Sequence, residues 1–153
     1  MTIYINSINY EGSVVDGPGV RTVIYLQGCN RHCEGCHNQS TWDKNCGTKY
    51  EVTDLANELK KKVKNKKVTI SGGEPFFQPD ATCELIRQLD GFDICVYTGS
   101  EYEEIKRDFE NILPLIHYLK VGKYKKELRT TMIPYVGSSN QRFLTLREGE
   151  IDE

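Results

Sequence analysis

Three cysteines stand within eight positions of the stretch QGCNRHCEGCHNQSTWD, at Cys29, Cys33 and Cys36. Thiolates are strong metal ligands, and three on one short loop point to a shared metal centre. Two kinds of centre compete. Structural zinc is four-coordinate and is usually built from two ligand pairs far apart in sequence. His37 or Cys46 could complete such a set, but His37 adjoins Cys36 and a distant second pair is missing. An ordinary 4Fe–4S cluster takes four cysteines. A loop that offers three leaves one iron with an open position, and an open iron can bind and activate a small molecule.

A second group of residues could serve the same ligand. In SGGEP (71–75), Gly72 and Gly73 permit close backbone approach, and the carboxylate of Glu74 can pair with a cationic amine. The bland alternative is a strand-to-helix turn whose acid favours the helix dipole. Asp16, Gly17, Pro18 and Gly19 have turn chemistry. The segment TGS (98–100) suits either a ribose or carboxylate contact or simple capping, and Lys120 suits either a cofactor carboxylate or plain surface exposure. Cys83 and Cys95 fall in core patterns, and Trp42 is expected to pack beneath the cysteine loop.

These residues need a scaffold. Short β-branched runs at 20–26, 67–71, 93–98, 116–121 and 141–146 read as strands. Helical patterns separate several of them. Leu55, Leu59 and Val63 form an i, i+4, i+8 stripe in 53–63, and further helices are expected over 80–89 and 100–109. Ser100 with Glu103 matches a capping box for the last of these. Strand–helix–strand alternation implies a mainly parallel sheet in an α/β fold. A closed eightfold barrel needs about 250 residues, so this chain is expected to form an open partial (β/α) barrel or an open sheet. Ligands of such sheets gather at the carboxyl ends of the strands. The cysteine loop follows the first core strand and SGGEP the second, so both are expected at one sheet edge.

Composition narrows the function classes. The 153 residues suit one domain spanning 1–153, and the net charge of −2 does not suggest a nucleic-acid binder. No apolar run approaches the roughly 20 residues of a membrane helix. The first residues lack the basic-then-apolar layout of a signal peptide, so the expectation is a soluble, cytoplasmic protein. Six cysteines there favour metal or redox chemistry over a disulfide framework. The basic run KKKVKNKK (60–67) reads as a solvated helix face, and EGEIDE (148–153) as a fraying acidic tail.

The C-x3-C-x2-C spacing with GGEP downstream resembles the radical S-adenosylmethionine superfamily. DGPGVRTVIYLQGC (16–29), CHNQSTWD (36–43) and GSSNQR (137–142) together resemble the activating proteins of anaerobic (class III) ribonucleotide reductase, across nearly the whole chain. That resemblance implies a radical-SAM type of partial barrel. It implies a 4Fe–4S cluster on Cys29, Cys33 and Cys36, and S-adenosylmethionine chelating the open iron. One electron, from a reductant such as a flavodoxin, would cleave the cofactor to a 5′-deoxyadenosyl radical. The radical would take a hydrogen from one glycine of the partner reductase. By the same resemblance, backbone around Gly35, Cys36 and His37 holds the adenine, because Gly35 stands where many members carry an aromatic residue. Gly72, Gly73 and Glu74 would receive the cofactor amine, and Asp16 the substrate glycine loop. An activase of another glycyl-radical enzyme, of the pyruvate formate-lyase type, and a zinc-binding module are the alternatives.

Overall fold

The computed structural model describes residues 1–28, 47–147 and 150–152 of the chain. Cys29, Cys33, Gly35, Cys36, His37, Trp42 and Cys46 lie outside the described residues. Among the described residues eight strands, β1 (Thr2–Ser13), β2 (Arg21–Leu26), β3 (Thr48–Glu51), β4 (Lys67–Gly72), β5 (Asp93–Tyr97), β6 (Tyr118–Val121), β7 (Arg142–Arg147) and β8 (Glu150–Asp152), form one open sheet. Their order is β3-β1-β2-β4-β5-β6-β7-β8. The centre, β2-β4-β5-β6, is parallel. Both flanks are antiparallel, through β1 and β3 on one side and β7 and β8 on the other. The fold is therefore mixed α/β, parallel in its middle and unclosed.

The α-helices α1 (Val52–Lys62), α2 (Pro79–Gln88) and α3 (Tyr102–Asp108) accompany the parallel centre. The expected stripe of Leu55, Leu59 and Val63 is buried. It packs in one apolar cluster with Leu85 and Ile86 of α2 and with alternate strand residues Ile24, Leu26, Val68, Ile70, Ile94, Val96, Leu119, Val121, Leu144 and Leu146. Strand side chains alternate between faces, so this set assigns one whole face of the sheet to the core. The basic residues Lys60, Lys61, Lys62, Lys64 and Lys66 are exposed, as the solvated-face reading expects. Among the described residues no helix is long and apolar enough to cross a membrane.

Three expectations are corrected. The sheet's parallel part is only its middle, because the first twelve-residue strand returns antiparallel along β2 through pairs such as Ile8 with Ile24. The acidic tail does not simply fray, since Glu150–Asp152 pairs with β7. The capping box of α3 is Glu101 with Glu104, not Ser100 with Glu103. Ser100 is committed elsewhere. Its amide donates to Thr98 Oγ1 at 3.1 Å and its carbonyl accepts from Gly122 N at 2.9 Å, which draws it into the sheet edge.

Candidate functional site at the carboxyl ends of the parallel strands

The face of the sheet away from the helices carries the other half of the alternation. Tyr25 of β2, Ser71 of β4, Tyr97 of β5 and Lys120 of β6 line a cavity of about 740 Å³ together with Val14, Val15 and Asp16 and with residues 130, 131 and 133–137. That volume falls in the range of roughly 300–1,000 Å³ typical of small-molecule sites. A smaller hollow, about 370 Å³, lies at the other end of the strands beside Asp93 and His117, and none of the motif residues reaches it.

The two motif-bearing loops meet at the carboxyl ends of β2 and β4, next in sequence to Tyr25 and Ser71 of the cavity wall. β2 and β4 run in parallel register from Thr22 with Val68 to Leu26 with Gly72. Gly72 has φ +109°, and a Cβ there would fall 2.2 Å from Leu26 N. Only glycine allows this approach, and what it approaches is the neighbouring backbone. Gly73 N then donates to Leu26 O at 3.1 Å and Glu74 N to Gly28 O at 2.8 Å. Gln78 adds a third tie, its Nε2 donating to Gln27 O at 2.8 Å. The start of the cysteine loop is thus hydrogen-bonded along the Gly-Gly-Glu-Pro segment.

The carboxylate of Glu74 is buried and bridges to the next loop. Its Oε2 accepts from Thr98 Oγ1 at 2.8 Å and from Phe76 N at 3.0 Å, and its Oε1 accepts from Gly99 N at 2.7 Å. Such charge-assisted bonds are the stronger kind. Glu74 therefore joins the ends of β4 and β5, with a hydroxyl and two amides fixing its orientation.

Asp16 stands on the other side of the cavity, on a loop anchored through buried polar groups. Its carboxylate accepts from Ser13 Oγ at 2.5 Å, and its carbonyl accepts from Thr69 Oγ1 at 2.5 Å. Arg21 is fully buried. Its guanidinium donates to Pro18 O, Thr69 Oγ1, Val68 O and the Asp93 side chain, at 2.8–3.0 Å. A buried cation is tolerated when it is paired and its donors are satisfied, as here. Gly17, at φ +112°, fits against Arg21 and Cys95, where a Cβ would come within 3.0 and 3.1 Å.

The far wall is braced by the GSSNQR motif. Gln141 Oε1 accepts from Gly137 N at 2.8 Å and Ser138 N at 3.1 Å, while its Nε2 donates to Gly122 O at 2.9 Å. One side chain thus ties the end of β6 to the foot of the 130–137 segment. Within the cavity wall, Lys120 Nζ sits 4.4 Å from the centre of the Tyr97 ring. Burial raises the Tyr97 phenol well above its ordinary value, and burial with the nearby Asp16 charge raises Tyr25. Burial pushes the Cys95 thiol up to about 12. All three groups stay protonated at neutral pH.

The structure therefore brings Gly72, Gly73 and Glu74 beside Gly28 and sets Asp16 across the cavity. Sequence reasoning missed Arg21, and it reached Thr98 and Gln141 only as members of TGS and GSSNQR, without their partners. Arg21 did leave a signal, a charge at a strand position otherwise given to apolar residues. The particular bonds of Thr98 and Gln141 left none, because their partners lie on other elements.

Residues 15–144 match the family described as "4Fe-4S single cluster domain". The chain is 32% identical to the anaerobic ribonucleoside-triphosphate reductase-activating protein of Escherichia coli (strain K12), covering 86% of this chain and 92% of that protein. It is 34% identical to the protein of the same name from Enterobacteria phage T4, over 92% and 93% of the two chains. It is also 33% identical to the pyruvate formate-lyase-activating enzyme of Clostridium pasteurianum, over 79% of this chain but 55% of that enzyme. The chain belongs to the 4Fe–4S single-cluster family, on the branch of the anaerobic ribonucleoside-triphosphate reductase-activating proteins.

Proposed function

We propose that this chain, as one domain over 1–153 with a radical-SAM type of partial barrel, is a cytoplasmic activase. It installs a glycyl radical on an anaerobic ribonucleotide reductase. One observation carries the reading: the start of the cysteine loop is hydrogen-bonded to the Gly-Gly-Glu-Pro segment, and both follow directly on β2 and β4, whose Tyr25 and Ser71 line the cavity. Cys29, Cys33 and Cys36 would hold the 4Fe–4S cluster. The described residues fit S-adenosylmethionine: the cavity has room for it and is lined by the Asp16 carboxylate and the Lys120 cation, and the Glu74 carboxylate is fixed at the carboxyl ends of β4 and β5. With one electron from a reductant such as a flavodoxin, S-adenosylmethionine would supply there a 5′-deoxyadenosyl radical able to accept a hydrogen atom.

The chain's own residues do the rest. Gly72, Gly73 and Glu74 orient the amino end of the cofactor, and backbone at Gly35, Cys36 and His37 receives its adenine. Protein walls exclude water and stray hydrogen donors from the radical. Asp16, its carbonyl pinned by Thr69, presents its carboxylate to N–H groups of the incoming glycine segment. The test is anaerobic reconstitution with the reductase, reading the glycyl radical by electron paramagnetic resonance. The expected radical depends on S-adenosylmethionine and is lost in Cys29→Ala, Cys33→Ala and Cys36→Ala but kept in Cys46→Ala. A colourless, zinc-loaded protein, or an intact cluster lost only in Cys46→Ala, would reject it. A radical formed on pyruvate formate-lyase and not on the reductase would favour the relationship to the Clostridium pasteurianum enzyme.

A further inference from the structure

Two loops border the mouth of the cavity, and both hold apolar side chains out into solvent. On the first, Val14 is 67% and Val15 70% exposed. On the second, Met132 is 87% and Ile133 41% exposed. Large apolar side chains scattered singly on a surface need no explanation. Here four of the eight such residues among the described part gather on two loops that line one cavity, so chance scatter is a poor account.

Neither loop is a loose strand of chain. The first is held to β2 and β4 through Arg21 and Thr69, and Tyr97 donates to Val15 O at 3.4 Å. The second closes as a short hairpin at its foot. Arg129 bridges Ser138, Thr130 N donates to Gly137 O at 3.1 Å, and Ser139 N to Leu128 O at 2.8 Å. Tyr135 packs against Phe143, with ring centres 4.7 Å apart. Anchored feet with apolar tips keep those tips from folding back onto the protein, so their burial is left for another surface.

The geometry points to Val14, Val15, Met132 and Ile133 as two lips that clamp the glycine-bearing segment of the partner reductase. This rests on the activase reading above. A hydrogen atom is transferred only between atoms in near contact, roughly 3–3.5 Å apart. The partner's glycine must therefore enter the cavity, and the segment carrying it must pass between the lips. The same constraint describes the segment. It runs extended through the mouth, presents a glycine with no side chain to the cavity, and carries apolar residues on either side of that glycine to meet the lips. A second copy of this chain is the competing occupant.

The test uses Met132→Asp and Val14→Asp, with Met132→Leu as the conservative control. Both sites are exposed, so folding should hold. Cluster absorbance should match wild type in every variant, and S-adenosylmethionine affinity and slow cofactor cleavage without partner should match it in the Met132 variants, since Met132 is outside the cavity lining. The concentration of full-length reductase giving half-maximal glycyl radical should rise about tenfold in each Asp variant, as for a buried interface anchor, and should stay near wild type in Met132→Leu. Unchanged half-saturation in both Asp variants overturns the lips. So does a wild-type dimer by sedimentation that Met132→Asp dissolves while half-saturation stays the same. If wild-type protein yields no glycyl radical at all, it is the activase reading that fails, which keeps the two failures apart.

Discussion

The two faces of the central sheet are built from neighbouring residues of the same strands and obey opposite rules. On β4, Val68 and Ile70 enter the apolar cluster beneath α1 and α2, while Thr69 holds the Asp16 carbonyl and Ser71 lines the cavity. On β5, Ile94 and Val96 go to the core, and Cys95 and Tyr97 to the other side. The core face gains its stability from area removed from water, and hydrogen bonding plays little part there. The cavity face keeps room for a ligand, and its side chains are fixed by named polar partners. Stability and site thus share a backbone but separate by residue parity.

Paired substitutions on one strand test that separation most severely. Ile70→Ala removes a fully buried side chain from the core face and should cost about 2–5 kcal/mol, read by denaturant unfolding. Ser71→Ala, one residue on, should change stability by no more than about 0.5 kcal/mol. Equal losses would mean that the cavity face is packed like the core.

Glu74→Gln comes next. The amide would turn an N–H toward a donor that the carboxylate now accepts from, Gly99 N or Thr98 Oγ1. Losing a charge-assisted bond costs about 1.5–3 kcal/mol, roughly one to two decades in S-adenosylmethionine affinity by anaerobic calorimetry. Cluster absorbance should be unchanged. Wild-type affinity would show that Glu74 only ties loops together.

A smaller effect is expected one step back from the ligand. Thr98→Val keeps the shape but removes the hydroxyl donated to Glu74, and should weaken the same affinity by about 1 kcal/mol, roughly fivefold. Thr98→Ser should restore it. Failure of that rescue would assign the loss to packing and not to orientation of the carboxylate.

The smallest effect concerns Cys95 beneath Gly17. Its thiol is raised from an ordinary value near 9 to about 12 by burial. The folded state therefore holds a proton that the unfolded chain releases. The resulting stabilisation is fully present below about pH 9 and is lost as pH rises toward about 12. At pH 8 a thiol reagent should leave Cys95 unmodified until the protein is unfolded, as peptide mapping would show. Rapid labelling of native protein would mean that the Asp16 loop opens.

Much of this architecture is legible in the amino-acid sequence alone. The stripe of Leu55, Leu59 and Val63 marks a helix against a sheet, since period and burial are local consequences of side-chain geometry. The order of strands and helices implies parallel pairing of β2, β4 and β5, and so brings the cysteine loop and SGGEP to one edge. Residue type alone makes Gly72 and Glu74 candidates for a site. Tertiary structure decided the rest. Gly72 yields to the backbone of Leu26, on a strand some 46 residues earlier in the chain. Glu74 meets Thr98 and Gly99, which lie 24 and 25 residues away. Ser100 lost its capping role because its backbone was engaged by Thr98 and Gly122. The antiparallel flanks, the buried Arg21 and the two apolar lips depend in the same way on which strands become neighbours. Hydrogen-bond partners are assigned by strand order, and strand order is settled by burial over the whole chain, so no short window of sequence carries it.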